Sequence, residues 1–195
     1  GHVIEWNDCF ETVLETHDHG AFNSWGRDRI WHSAMPAGPN ELNENGKSLI
    51  SFYVDKYPES PFWDAYQTTI MRHNRMHCDH GWDIDLDDGS SNYEIYSNLC
   101  LGGGLKTREG YKRIVTNNVV MGGYTCNVPY PKPTADVFDR NVVAGKTIYS
   151  ASNPTLWGGV RDYTFAHNPA AKKTEPAVAL QKQTLDDAHS LYGNA

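Results

Sequence analysis

An apolar residue, two variable residues and then an asparagine recur along the chain. The copies are IEWN (Ile4, Asn7), MRHN (Met71, Asn74), IYSN (Ile95, Asn98), VTNN (Val115, Asn118) and FDRN (Phe138, Asn141). The last four asparagines are 24, 20 and 23 residues apart. A glycine follows the asparagine by four in three copies (Gly102, Gly122, Gly145), and Cys78 takes that place in a fourth. Short apolar segments repeating every 20 to 25 residues suit a stack in which each repeat is one turn of a solenoid. Asparagine at a fixed corner has two physical reasons. It tolerates the left-handed backbone of a tight bend, and stacked amides hydrogen-bond along the axis as a ladder. The expected fold is therefore all-β, a parallel β-helix of about five turns.

The segments after each asparagine align as a strand. VLETH (13–17), DIDLD (83–87) and LKTRE (105–109) fall at similar offsets. With period-two alternation, Ile84 and Leu86 face the core, and Asp83, Asp85 and Asp87 face outward into a groove. Lys106 and Arg108 lie beside them on the next strand, about 4.8 Å away, where they relieve the like charge. Glu15 and His17 fall on the same outer face. A long loop is expected over 31–67, where Pro, Gly and Asn dominate the first half. A second irregular stretch, NVPYPKPT, covers 127–134. A C-terminal helix is expected over 174–192, capped by Thr174, with Pro176 in its first turn and Gly193 at its end. The whole chain reads as one domain.

Acidic residues are depleted from strands, so three on one strand mark a site. Paired carboxylates are what glycoside hydrolysis uses: one protonates the leaving oxygen and the other acts as base or nucleophile. Asp83 and Asp85 are the first candidates. A second polar cluster, HDHGAFNSWGRDR (17–29), supplies Asp18 and Asp28, with Asp28 flanked by Arg27 and Arg29. His17, His19, Trp25, Arg27, Arg29, Lys106 and Arg108 would position substrate. Two Asp-His-Gly tripeptides, at 18–20 and 79–81, read equally as turns and as acid–base material. No cofactor is required by this reading. In an alternative, Asp83, Asp85 and Asp87 hold Ca²⁺, a hard cation that takes six to eight oxygens, although DIDLDDG lacks EF-hand spacing.

The net charge of −7 and the absence of a basic stripe weigh against nucleic acid. No apolar run approaches the ~20 residues of a membrane span. The opening GHVIEWNDCF lacks the basic start and apolar stretch of a secretory leader. Cys9, Cys78, Cys100 and Cys126 form no CxxC pair, which removes the usual zinc spacing and leaves buried thiols or disulfides. Six Trp and eleven Tyr supply flat apolar faces with polar edges, as sugar grooves use.

The run RHNRMHCDHGWDIDLDDGSSNYEIYSNLCLGGGLKTREGYKRIVTNNVV, with HDHGAFNSWGRDR before it, resembles the pectate-lyase-like, right-handed parallel β-helix proteins of bacterial polysaccharide degraders. The resemblance extends from Val3 to about Gly145. It implies a secreted, periplasmic or cell-surface bacterial protein whose partner is an oligo- or polysaccharide. Such proteins carry further turns before the acidic motifs, so the chain is expected to be part of a larger polypeptide. The implied activity is a glycoside hydrolase. A Ca²⁺-dependent polysaccharide lyase and a non-catalytic carbohydrate-binding or adhesion β-helix are the alternatives.

Overall fold

The structure is a computed structural model that describes residues 1–26, 56–108, 110–126, 135–145 and 147–149. Its strands come in triplets: β1 (Val3–Glu5), β2 (Asp8–Thr12) and β3 (Gly20–Trp25); β4 (Thr69–Arg72), β5 (Arg75–Cys78) and β6 (Trp82–Asp87); β7 (Tyr93–Tyr96), β8 (Leu99–Cys100) and β9 (Gly104–Thr107). Two more triplets follow: β10 (Arg113–Thr116), β11 (Val119–Val120) and β12 (Gly123–Cys126); β13 (Val137–Asp139), β14 (Val142–Val143) and β15 (Thr147–Tyr149). Each strand pairs in parallel with the strand three further along the chain. This gives three five-stranded parallel sheets, β1-β4-β7-β10-β13, β2-β5-β8-β11-β14 and β3-β6-β9-β12-β15. Among the described residues, no helix is long and apolar enough to cross a membrane.

The apolar residue of the recurring pattern is the core residue of the first sheet. Ile4, Met71, Ile95, Val115 and Phe138 are register partners in one column. Two residues after each asparagine, Cys9, Met76, Cys100, Val120 and Val143 form the matching column of the second sheet. In the third sheet Phe22, Ile84, Leu105 and Tyr124 do the same. One cluster joins all three columns, with Met71, Ile84, Ile95, Leu105 and Phe138 fully buried. The Tyr124 and Phe138 rings stack at 3.9 Å. Cys9, Cys78 and Cys100 are free thiols.

The asparagines form a continuous ladder. Each Oδ1 accepts both the backbone amide and the side-chain amide of the asparagine one triplet earlier. Asn7 bonds to Asn74 at 3.1 and 2.9 Å, and Asn74 to Asn98 at 3.1 and 2.9 Å. Asn98 bonds to Asn118 at 3.0 and 3.0 Å, and Asn118 to Asn141 at 2.9 and 2.9 Å. The left-handed corner, however, lies one residue earlier than the sequence suggests. Trp6, His73, Ser97, Asn117 and Arg140 have φ of 59, 56, 56, 55 and 54°. The asparagine holds that corner closed from the next position. The glycines four residues on serve close approach: a Cβ on Gly122 would sit 2.4 Å from the Gly102 carbonyl, and one on Gly145 1.5 Å from that of Gly122.

The first triplet departs from the expected alignment. VLETH is not the strand beside DIDLD; Gly20–Trp25 is, with Phe22 opposite Ile84, Asn23 opposite Asp85 and Trp25 opposite Asp87. The ladder asparagine and its third strand are separated here by a longer segment than in any later triplet. The surplus is taken up by a register shift between Cys9 and Thr12 and by bends over residues 13–19. Glu15 and His17 are therefore exposed on that bend instead of lying on the sheet. The loop expected over 31–67 is described only from residue 56, where a 3-10 turn spans Ser60–Phe62. The expected C-terminal helix lies outside the described residues.

Candidate functional site

The outer face of the third sheet brings together Asp85 and Asp87 of β6, Lys106 of β9, Arg108 just beyond it, and Trp25 at the end of β3. Lys106 sits opposite Asp85 in register. Its Nζ lies 3.0 Å from Asp85 Oδ1, donates to Asp85 Oδ2 at 3.0 Å, and lies 3.4 Å from Asp87 Oδ1. The Trp82 ring centroid is 5.6 Å from the same ammonium, within cation–π range. Arg108 Nη1 reaches Asp87 and Asp88, each at 3.1 Å. Asp88 accepts the Trp25 indole N–H at 2.7 Å. The result is a continuous chain of alternating charge, Asp85–Lys106–Asp87–Arg108–Asp88, ending on an exposed tryptophan.

Asp85 is 0 % exposed and Lys106 6 %. Burial pushes the Asp85 carboxyl up to about 6; Lys106 opposes that rise, and the Asp87 and Asp18 charges add to it. Asp85 Oδ1 is buried and accepts no directed hydrogen bond; the Lys106 ammonium at 3.0 Å is its ion-pair partner. A carboxyl with these properties is suited to carry a proton near neutral pH.

Neither Asp83 nor Asp85 opens into a groove as alternation suggested: both are 0 % exposed. The two Asp83 oxygens accept four backbone amides: Cys78 at 2.8 Å, Gly102 at 3.0 Å, Gly103 at 3.2 Å and Gly104 at 2.8 Å. The Gly102–Gly104 run exists for this close approach. A Cβ on Gly103 would lie 1.8 Å from the Gly81 carbonyl, and Gly104 takes φ of 88°. Burial raises the Asp83 carboxyl to about 6 as well, with these four amides opposing. Its role here is to fasten the turn before β9 to the end of β5. The paired carboxylates expected at Asp83 and Asp85 are thus divided between structure and site.

Asp18 has φ of 62° and lies on the exposed bend before β3. His17 and His19 are exposed on the same bend, and the His17 ring packs against His80 at 5.5 Å. The His19 carbonyl accepts the Trp82 amide at 3.0 Å, and a Cβ on Gly81 would meet that carbonyl at 1.8 Å. The second Asp-His-Gly tripeptide is therefore a packed turn. Arg27, Asp28 and Arg29 lie outside the described residues. Asp88, Trp82 and Asn23 join the site without having been singled out in the sequence. The sequence carries no separate signal for Asp88, because Asp88-Gly89 reads most simply as the turn that ends the strand.

The Ca²⁺ alternative finds less here than the sequence suggested. Asp83 is committed to amides, and an ammonium stands between Asp85 and Asp87. Among the described residues, no three His, Cys, Asp or Glu side chains converge as cation ligands. Comparison with protein-family models, curated proteins and solved structures finds no match to the chain.

Proposed function

We propose that the three parallel sheets are the faces of a right-handed parallel β-helix of five coils, and that its third face carries the active site of a glycoside hydrolase acting on a complex polysaccharide. The right-handed sense rests on the general preference of parallel crossover connections, about 98% of which are right-handed. The observation that carries the function is Asp85. It is a fully buried carboxyl raised to about 6, with the Lys106 ammonium 3.0 Å from each of its oxygens and a second carboxylate, Asp87, next to it on the same strand face. Asp85 is the proton donor. Lys106 and Arg108 hold the acidic groups in place, and Trp25, anchored by Asp88, offers an exposed ring for a sugar to stack on.

The test is release of reducing ends from a panel of neutral and uronate-containing polysaccharides, with ultraviolet detection of unsaturated uronates run alongside. Asp85→Asn should lower kcat by about 10²–10⁴-fold while circular dichroism stays that of the parent. Unsaturated product would replace the hydrolase with a lyase. Saturable binding with no cleavage would favour the second reading, a non-catalytic carbohydrate-binding β-helix. One observation supports that reading: the charges of the site already neutralise one another in pairs.

A further inference from the structure

We propose that the corner joining the first sheet to the second carries a carbohydrate-binding site, in which a neutral oligosaccharide lies along the stacked turns of the chain against the rings of Trp6 and His73. The inference takes its ligand class from the polysaccharide reading above and rests on it to that extent; the residues, the face and the test are separate.

Trp6, His73, Ser97, Asn117 and Arg140 hold the position before each ladder asparagine, all with left-handed backbone. Bulky side chains seldom adopt that conformation, and Ser97 and Asn117 show that a small polar residue closes the corner. Tryptophan there serves neither core nor cap. Trp6 is 75 % exposed. Its ring stacks on His73 at 4.7 Å and 21°, and His73 meets the Tyr96 ring edge-on at 6.2 Å. Residues held in such sparsely populated conformations cluster where a side chain is presented to a ligand.

Beside the rings runs a groove of about 450 Å³, within the range of small-molecule sites. One side of it is polar. Ser97 and Asn117 line it and are exposed; among the described residues, the Ser97 hydroxyl, the Asn117 amide and the His73 ring make no side-chain hydrogen bond. The other side is apolar. Asp8, Arg75, Leu99 and Val119 stand in register along the outer face of the second sheet. The first two close on each other, with Arg75 Nε donating to Asp8 Oδ1 at 2.8 Å, and Leu99 and Val119 line the groove.

A pyranose ring has the matching chemistry. Its C–H faces pack on aromatic and aliphatic side chains, and the hydroxyls around its edge pair with amide, hydroxyl and imidazole groups. Neighbouring parallel strands stand about 4.8 Å apart, which sets His73 and Asn117, two strands from each other, about 10 Å apart. A sugar chain running along the axis therefore reaches the rings and the amide together. Neutral sugars are favoured over uronates, because the guanidinium on the lining, that of Arg75, is already engaged by Asp8. The charged cluster lies on the third sheet and this groove between the other two, so a ligand at one leaves the other open. Two points of attachment to one polysaccharide raise avidity with no new contact at either.

The experiment uses the full chain and neutral and uronate-containing oligosaccharides cut from the polysaccharides named above. They are titrated while the tryptophan indole N–H signals are followed by NMR; the Trp6 signal is the one absent from Trp6→Ala. A neutral oligosaccharide should move the Trp6 signal saturably, and calorimetry should show it bound to Trp6→Ala more weakly by about tenfold. Asn117→Arg should abolish the shift by filling the groove. Arg140 at the equivalent position shows that the corner accepts arginine, so circular dichroism should stay that of the parent. Trp25→Ala, on the third sheet, should leave the Trp6 titration as it is. If no oligosaccharide moves the Trp6 signal, or if Asn117→Arg titrates as the parent does, the corner is not a site, whatever the third sheet binds. Tighter binding of uronates than of neutral sugars at the corner overturns the assigned ligand. A saturable Trp6 shift with no cleavage of any polysaccharide removes the hydrolase and leaves this inference standing.

Discussion

Asn98→Ala is the substitution whose cost follows most directly from the ladder. The Asn98 side chain makes five bonds. Its Oδ1 accepts the Asn74 amide at 3.1 Å and the Asn74 side chain at 2.9 Å. Its Nδ2 donates to Asn118 Oδ1 at 3.0 Å, to the Met71 carbonyl at 3.0 Å and to the Tyr96 carbonyl at 3.1 Å. Alanine keeps the backbone bond from Asn98 to Asn118 and loses these five. Asn74 Nδ2 retains the Ile4 carbonyl at 2.9 Å, so the group with least recourse is the Asn74 backbone N–H, at a residue only 2 % exposed. Orphaning a buried donor costs about 1–3 kcal/mol, and the bonds lost to the carbonyls about 1 kcal/mol more. The expected loss is about 2–4 kcal/mol. At a urea m-value of about 2 kcal/mol/M, that lowers the midpoint by roughly 1–2 M. The control is Asn7→Ala at the start of the ladder, where the side chain is exposed and water replaces what is removed. It should cost less than about 1 kcal/mol. Urea titrations followed by circular dichroism compare the two directly. Equal effects, or a shift under about 0.5 kcal/mol for Asn98→Ala, would show that the ladder bonds are not what holds the corner.

Two further predictions separate the acids of β6. Asp83→Asn should destabilise more than Asp85→Asn, by roughly 2 kcal/mol in urea titrations. Both remove a buried carboxylate raised to about 6, but only the first turns an NH₂ group towards two buried backbone amides. The second concerns pH. The folded Asp85 carboxyl stands at about 6, against an ordinary value of 3.8. The folded chain thus binds the extra proton between those values, and this stabilising contribution is lost as pH rises from about 4 to about 6. Relative to the wild type, Asp85→Asn should gain about 2–3 kcal/mol between pH 4 and pH 7.5; a parallel pair of stability–pH curves would contradict the assigned shift.

What the sequence disclosed is what repeats. Ile4, Met71, Ile95, Val115 and Phe138 are equivalent because each triplet repeats the same corner, so their spacing alone identified a core column and the ladder beside it. What it hid depends on contacts between triplets. Asp83 looked like a groove residue because its four amides come from the end of β5 and from Gly102–Gly104, 19 to 21 positions further along the chain. The buried bidentate pair Arg113–Asp136, with Nε–Oδ1 at 2.7 Å and Nη2–Oδ2 at 2.6 Å, spans 23 positions and left no local pattern. The first triplet misled for another reason. Extra residues between Thr12 and Gly20 shifted the alignment, so VLETH was set where Asn23 and Trp25 stand. The pairing of Asp85 with Lys106 was legible because both are outward residues of adjacent equivalent strands, and alternation predicts their register.

Lys106 is the residue on which structural and chemical readings of the site diverge. Three acids in alternate positions of one strand repel one another, and among the described residues each is relieved differently: Asp83 by backbone amides, Asp87 by Lys106 and Arg108, Asp85 by Lys106. Lys106→Met keeps most of the apolar stem and removes the charge. The coulombic attraction and hydrogen bond that lower the Asp85 carboxyl then vanish, while burial and the Asp87 charge that raise it remain. Its pKa must move above about 6. In the folded state more of the titration lies above the ordinary value, so stability should go on falling to a higher pH than in the wild type, over a wider window and by a larger total. A purely structural role ends there. If Asp85 is the proton donor, the alkaline limb of kcat/KM must shift upward by the same displacement, because that limb reports loss of the proton from the free enzyme. Measuring both on one variant decides the matter: a stability curve that shifts while the alkaline limb stays in place would leave Asp85 as part of the scaffold and remove it from the chemistry.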